Sequence, residues 1–152
     1  MGARGRGGEG LRAVIRIGTG LFWLYFASRK WAGVDWMRPL LAQAAVQNPI
    51  PGLHELLVQV VMPNWLFFAL VETAAEILVG LLLVLGLLNR WAAWGGVLLA
   101  ALLTLTVGFL EADLGRRWVY YLAVLVNLSV VVGGPGALAA ERVRVMPRWL
   151  RS

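Results

Sequence analysis

Apolar residues run almost unbroken from Trp65 to Leu88, with Glu72, Thr73 and Glu76 as the polar interruptions. Its roughly 24 residues, at ~1.5 Å rise each, make about 36 Å of helix, enough to cross a ~30 Å hydrocarbon core with some tilt. Three shorter apolar stretches flank it, over 11–29, 91–110 and 118–133. Between the first and second, Pro39, Pro49, Pro51 and Pro63 break the chain into pieces too short to span. Two short helices fit there, over 39–47 and 53–62. In the second, Leu53, Leu56, Leu57, Val60 and Val61 form an i, i+3, i+4, i+7, i+8 stripe, with His54, Glu55 and Gln59 on the polar side. The pattern predicts an all-α membrane protein: a four-transmembrane-helix bundle over 11–136, with short interfacial helices between spans one and two.

Glu72 and Glu76 are one helical turn apart and share a face, continued by Gly80. A carboxylate facing lipid costs roughly 2.5–3.5 kcal/mol, so this face is expected to turn towards other helices, a polar ligand or trapped water. Two roles stay open for the pair: fixing helix register through an Arg, or binding and proton handling. Glu76, near the middle of the span, is the stronger catalytic candidate. Glu72 lies a turn nearer one surface.

Composition narrows the chemistry. The chain has 152 residues, 60% of them hydrophobic and 14% charged, against about a quarter charged in soluble domains. It has no cysteine and one histidine, so no haem, metal site or iron–sulfur cluster is expected in this chain alone. The net charge of +6 reads as membrane topology and anionic lipid rather than nucleic acid. With both termini inside, nine of the 14 Lys and Arg residues are cytoplasmic, and Arg29, Lys30, Arg38, Arg116 and Arg117 lie on the other side. That excess predicts a multi-pass protein of the cytoplasmic (inner) membrane with cytoplasmic N and C termini.

Smaller features follow in chain order. Residues 1–10 are Gly-rich and read as a flexible cytoplasmic tail leading into an uncleaved first span. Arg16, a turn inside that span, either snorkels to the headgroups or reaches inward to the level of Glu76. Trp31 suits an interfacial anchor. The third span carries Gly96, Ala100, Thr104 and Gly108 at four-residue spacing, a small-residue face for close helix packing. The fourth carries Tyr120, Tyr121 and Asn127, and ends at GGPG over 133–136. A buried Asn127 needs a partner, either another helix or a ligand carbonyl. The tail 137–152 is basic and amphipathic and is expected on anionic lipid or a partner subunit.

From about Arg16 to Gly134 this layout resembles the DoxX/DoxD family of four-helix membrane proteins. The resemblance rests on Arg16 and Gly20, Lys30–Trp31, then Glu76, Gly80, the Leu-rich run, Gly86 and Asn89–Arg90. One departure is the sequence GGPGALAAE after the fourth span, where the family tends to have a Gly-rich turn leading to Ser and Asp. The DoxD branch forms the large subunit of thiosulfate:quinone oxidoreductase. The resemblance therefore implies a quinone-linked redox role with a sulfur oxyanion as donor.

Two main functions are consistent with these features. In the first, a quinone headgroup sits between helices, with Glu76 or Glu72 exchanging its protons. Arg16, Asn127 and Tyr120 are the further ligand-binding candidates, and Arg29 and Lys30 lead the outer cations that attract a small anion. Electrons must then come through a partner subunit. In the second, the chain is a non-catalytic anchoring or assembly subunit of a larger membrane complex. A proton-coupled transporter is a third idea, for which the sequence offers no inverted repeat or broken helix.

Overall fold

The computed structural model describes residues 3–139, with side chains from residue 8. Of the basic tail over 137–152, all beyond residue 139 lies outside the described residues. The described chain is all-helical: α1 (Ala3–Ser28), α2 (Met37–Gln47), α3 (Leu53–Leu56), α4 (Trp65–Leu85), α5 (Asn89–Thr106) and α6 (Leu114–Gly133). A π-helical turn, Leu57–Val61, prolongs α3, and a 3₁₀ turn, Gly108–Leu110, follows α5. Among the described residues α4 is the one helix both long and apolar enough to cross a membrane by length and composition, with a mean hydropathy of 2.2.

The four long helices pack around a core of Trp23, Val79, Leu83, Ala92, Ala93, Ala100 and Val130. The main seams are α1 on α4 and α5 on α6, joined by α4 on α5 and a lighter α1–α6 contact. Along α1 the buried positions are Ala13, Arg16, Thr19, Gly20, Trp23 and Ala27, and Lys30 just past its end continues the line, a three-and-four spacing with Thr19 beside it. That spacing keeps one narrow stripe against the partner helix. On α4, Ala69, Glu76, Val79, Gly80 and Leu83 are buried in the matching seam. The two helices run antiparallel, with too little room for a side chain between them at Gly20 and Gly80. A Cβ on Gly20 would lie 2.8 Å from the Gly80 carbonyl oxygen, and one on Gly80 would lie 2.9 Å from that of Gly20.

Helix ends explain where the boundaries depart from expectation. The chain is helical from Ala3, through the stretch read as a flexible tail. Its inner part is held by the segment after α6, where the Ala137 N–H donates to the Glu9 carbonyl at 3.0 Å. α4 stops at Leu85 because Gly86 turns left-handed, with φ 68°. The Leu87 N–H then reaches the Leu82 carbonyl and the Gly86 N–H that of Leu83, a Schellman ending. α6 starts at Leu114, four residues before the expected Trp118, because the Asp113 carboxylate accepts the Arg116 N–H at 2.9 Å.

α2, α3 and the π turn lie across one end of the bundle, in contact with α4, α5 and the 3₁₀ turn. Asn48 fastens this cover. Its side-chain amide donates to the Leu105 carbonyl of α5 at 2.8 Å, and its side-chain oxygen accepts the Ile50 N–H at 3.0 Å. Of the predicted stripe, Leu57 is buried while Leu56 and Val60 stay exposed.

Candidate functional site

The antiparallel seam places the C-terminal end of α1 beside the first half of α4. Lys30 follows α1 by two residues and turns back into the bundle, 7% exposed. Its ammonium donates to Glu72 Oε1 at 2.6 Å and to Glu76 Oε2 at 2.9 Å. Glu76 is 1% exposed, whereas the Glu72 side chain retains 24%. The shared face predicted for the two carboxylates is thus clamped by one cation, and the cluster carries a formal excess of one negative charge. Lys30, read from the sequence among the outer cations, has its ammonium inside the bundle, where the buried Glu76 and half-buried Glu72 need a counter-charge. The signal was its place in line with the α1 stripe, 14 residues beyond Arg16.

The cluster forms part of the wall of a cavity of about 220 Å³ that also touches Phe26, Trp36, Met37, Thr106 and Tyr120. Aromatic rings and apolar side chains form most of the wall, with the bonded Lys30, Glu72 and Glu76 and the Thr106 and Tyr120 hydroxyls as its few polar groups, the usual make-up of a small-molecule site. A second space of about 260 Å³ lies under the α3 cover and shares Leu41, Glu72, Leu103 and Thr106 with the first. A third, of about 420 Å³, is lined by Tyr25, Phe26, Arg29, Lys30 and Trp36. Lys30 and Glu72 are therefore on the partitions between these spaces. Trp36, Phe26 and Thr106 were not singled out from the sequence, since no spacing rule links the loop before α2 to the end of α5.

Of the sequence-predicted residues, Lys30, Glu72, Glu76 and Tyr120 meet at this cavity. Arg29 stays exposed nearby, its guanidinium 3.5 Å from the Tyr25 hydroxyl. Arg16 does not belong to the site. It neither snorkels nor reaches the level of Glu76: it is fully buried near the other end of the α1–α4 seam. Nη1 donates to the Leu83 and Val84 carbonyls at 2.7 and 3.3 Å, and Nη2 to those of Leu138 and Ala137 at 3.3 and 3.5 Å. A guanidinium there neutralises the negative end of the α4 dipole and ties down the segment after α6. Gly86 leaves room for it, since a Cβ at that position would fall on Arg16 Nη1.

Asn127 is likewise used between helices. Its side-chain oxygen accepts the Trp23 indole N–H of α1 at 3.2 Å, and its amide donates to the Ala123 carbonyl at 2.7 Å. Gly96 of the small-residue face on α5 makes space for that amide. One edge of Asn127 also lines a lateral groove with Thr19 and Phe22. Among the described residues no group of three His, Cys, Asp or Glu side chains could hold a metal ion.

No curated protein and no solved structure matches the chain. The DoxX family model matches residues 11–109, which include α1 from Leu11 onward, the cover, the buried lysine with both carboxylates, and all of α5. The chain belongs to the DoxX family of membrane proteins.

Proposed function

We propose that the protein is a four-span component of the cytoplasmic membrane that binds a quinone headgroup and exchanges its protons within a larger redox complex. α1, α4, α5 and α6 are the spans in this reading, with α2 and α3 as the interfacial cover. The observation that carries it is the Lys30–Glu72–Glu76 cluster forming one side of an otherwise apolar and aromatic cavity. That combination suits a flat ring bearing carbonyl oxygens. Phe26, Trp36 and Tyr120 offer ring faces and edges, and Lys30 and the Tyr120 hydroxyl offer hydrogen-bond donors. A bound quinone supplies two-electron, two-proton redox chemistry.

The chain's own residues would handle the protons. Glu76, clamped against Lys30, holds a proton-accepting group out of water, and Glu72 relays between it and the more open side of the cluster. The space beside Arg29, Trp36 and Lys30 is the water-side approach to that relay. Electrons arrive from a partner subunit, since the chain has no cysteine and one histidine. A small anionic donor such as thiosulfate would meet Arg29 and its neighbours rather than the cluster, where Lys30 is already neutralised by two carboxylates.

The test is purification in mild detergent, mass spectrometry of everything retained, and quinone reduction assayed with the retained partners. Retained quinone, together with a loss of turnover of about tenfold or more in Glu76→Gln, supports the reading. Stoichiometric partners with no quinone and unchanged turnover in Glu76→Gln would instead identify a non-catalytic anchoring subunit.

A further inference from the structure

The apolar space under α3 has no part in the chemistry just described, yet it abuts the polar cavity along Leu41, Glu72, Leu103 and Thr106. Its walls are aliphatic or aromatic except at that boundary, where Glu72 and Thr106 stand. The exposed residues of its lining are Leu56 of α3, Val71 of α4 and Leu102 of α5, at 49%, 49% and 48%. These residues lie on three different elements, so the space opens sideways between α4, α5 and the cover, not along the bundle axis. With α4 crossing the membrane, that opening faces lipid or its interface. The cover side is built by the π turn, whose widened loop is closed by the Met62 N–H donating to the Leu57 carbonyl at 2.9 Å. Such turns are rare and recur at functional sites.

We infer that the two spaces form one bent site for an amphipathic, membrane-borne ligand. Its hydrogen-bonding headgroup lies against Lys30, Glu76 and Tyr120, and its apolar tail passes Glu72 and leaves through the gap between Leu56, Val71 and Leu102. Together the two spaces reach the size of ordinary small-molecule pockets, roughly 300–1,000 Å³. The inference rests on the proposed quinone reading for the identity of the headgroup only. The tail is argued from the shape of the site and from where it opens. Ala75 of α4 stands in the apolar arm one turn after Glu72, so a larger side chain there fills the arm beside the cluster, whereas one at Leu102 of α5 fills it from a helix that carries no cluster residue.

The experiment uses the full chain in lipid nanodiscs and three probes: a tailless dimethoxy-methyl-benzoquinone, the same ring with a decyl tail, and a decyl-tailed phenol without quinone carbonyls. Binding is measured for the wild type, for Ala75→Phe and for Leu102→Trp. Leu102→Trp blocks the arm from the opposite wall at an exposed position, where the fold tolerates size. Comparing each probe between proteins cancels its partition into lipid. The expected result is that both variants weaken the decyl quinone about tenfold or more and change the tailless quinone by less than about twofold. Equal weakening of both quinones, or none of either, overturns the bent site and leaves the quinone reading standing. Tail-dependent binding of the phenol with no quinone binding keeps the bent site and overturns the quinone reading. Failure of the wild type to bind any probe overturns both.

Discussion

Two buried cations, Arg16 on α1 and Lys30 two residues past its end, lie on one line 14 residues apart, and both face α4. Arg16 meets backbone carbonyls at the end of α4 and in the segment after α6. Lys30 meets two carboxylates in the first half of α4. A carbonyl is a fixed dipole that exchanges no proton, and Gly86 keeps that end packed closely around the guanidinium. A carboxylate exchanges protons readily, and the Lys30 end opens into cavities. The same device, a cation held off solvent, meets fixed dipoles at one end and proton-exchanging groups beside open space at the other. The partner groups and the adjoining space make the difference.

The sharpest way to break this comparison is Lys30→Met. It leaves two carboxylates in the bundle without their cation, and the expected loss of stability is about 3–5 kcal/mol, read from thermal unfolding in detergent. Adding Glu72→Gln and Glu76→Gln to Lys30→Met should recover most of that loss. If the triple variant melts as low as the single one, Lys30 is held for packing and not for charge. At the other end, Arg16→Leu removes charge-assisted bonds and should cost roughly 1.5–3 kcal/mol, with part regained in Arg16→Lys. Quinone turnover in Arg16→Leu protein that still folds should match the wild type; a loss comparable to that expected of Glu76→Gln would join the two ends into one functional unit.

Between the two cations, Gly80→Leu should force α1 and α4 apart and cost about 1–3 kcal/mol, with both cation sites loosened together. The smallest effect is expected from Asn127→Leu, about 1 kcal/mol for the lost Trp23 bond, seen as a lower melting temperature with ligand binding unchanged. A selective loss of binding in that variant would move Asn127 from helix linker to ligand contact.

Much of this layout could be read from the chain. The apolar run broken by Glu72 and Glu76, the short cover after Pro39 and the end of the fourth long helix at GGPG all depend on local rules of period and backbone freedom. Those rules act within a few residues, and the sequence carries them openly. Which cation would neutralise the carboxylates was a different kind of question. Arg16 and Lys30 lie on one line with the α1 stripe, and either could serve until the direction and register of packing were known. The crossing at Gly20 and Gly80 sets that register: with the helices antiparallel, it brings Lys30 to Glu72 and Glu76 and Arg16 to Leu83. Asn127 was open for the same reason, because a buried amide demands a partner but does not name one. The sequence by itself determined that Glu72, Glu76 and Asn127 need partners away from lipid. Only the tertiary structure decided which groups those partners are, since the helix-to-helix register depends on contacts between residues far apart in the chain.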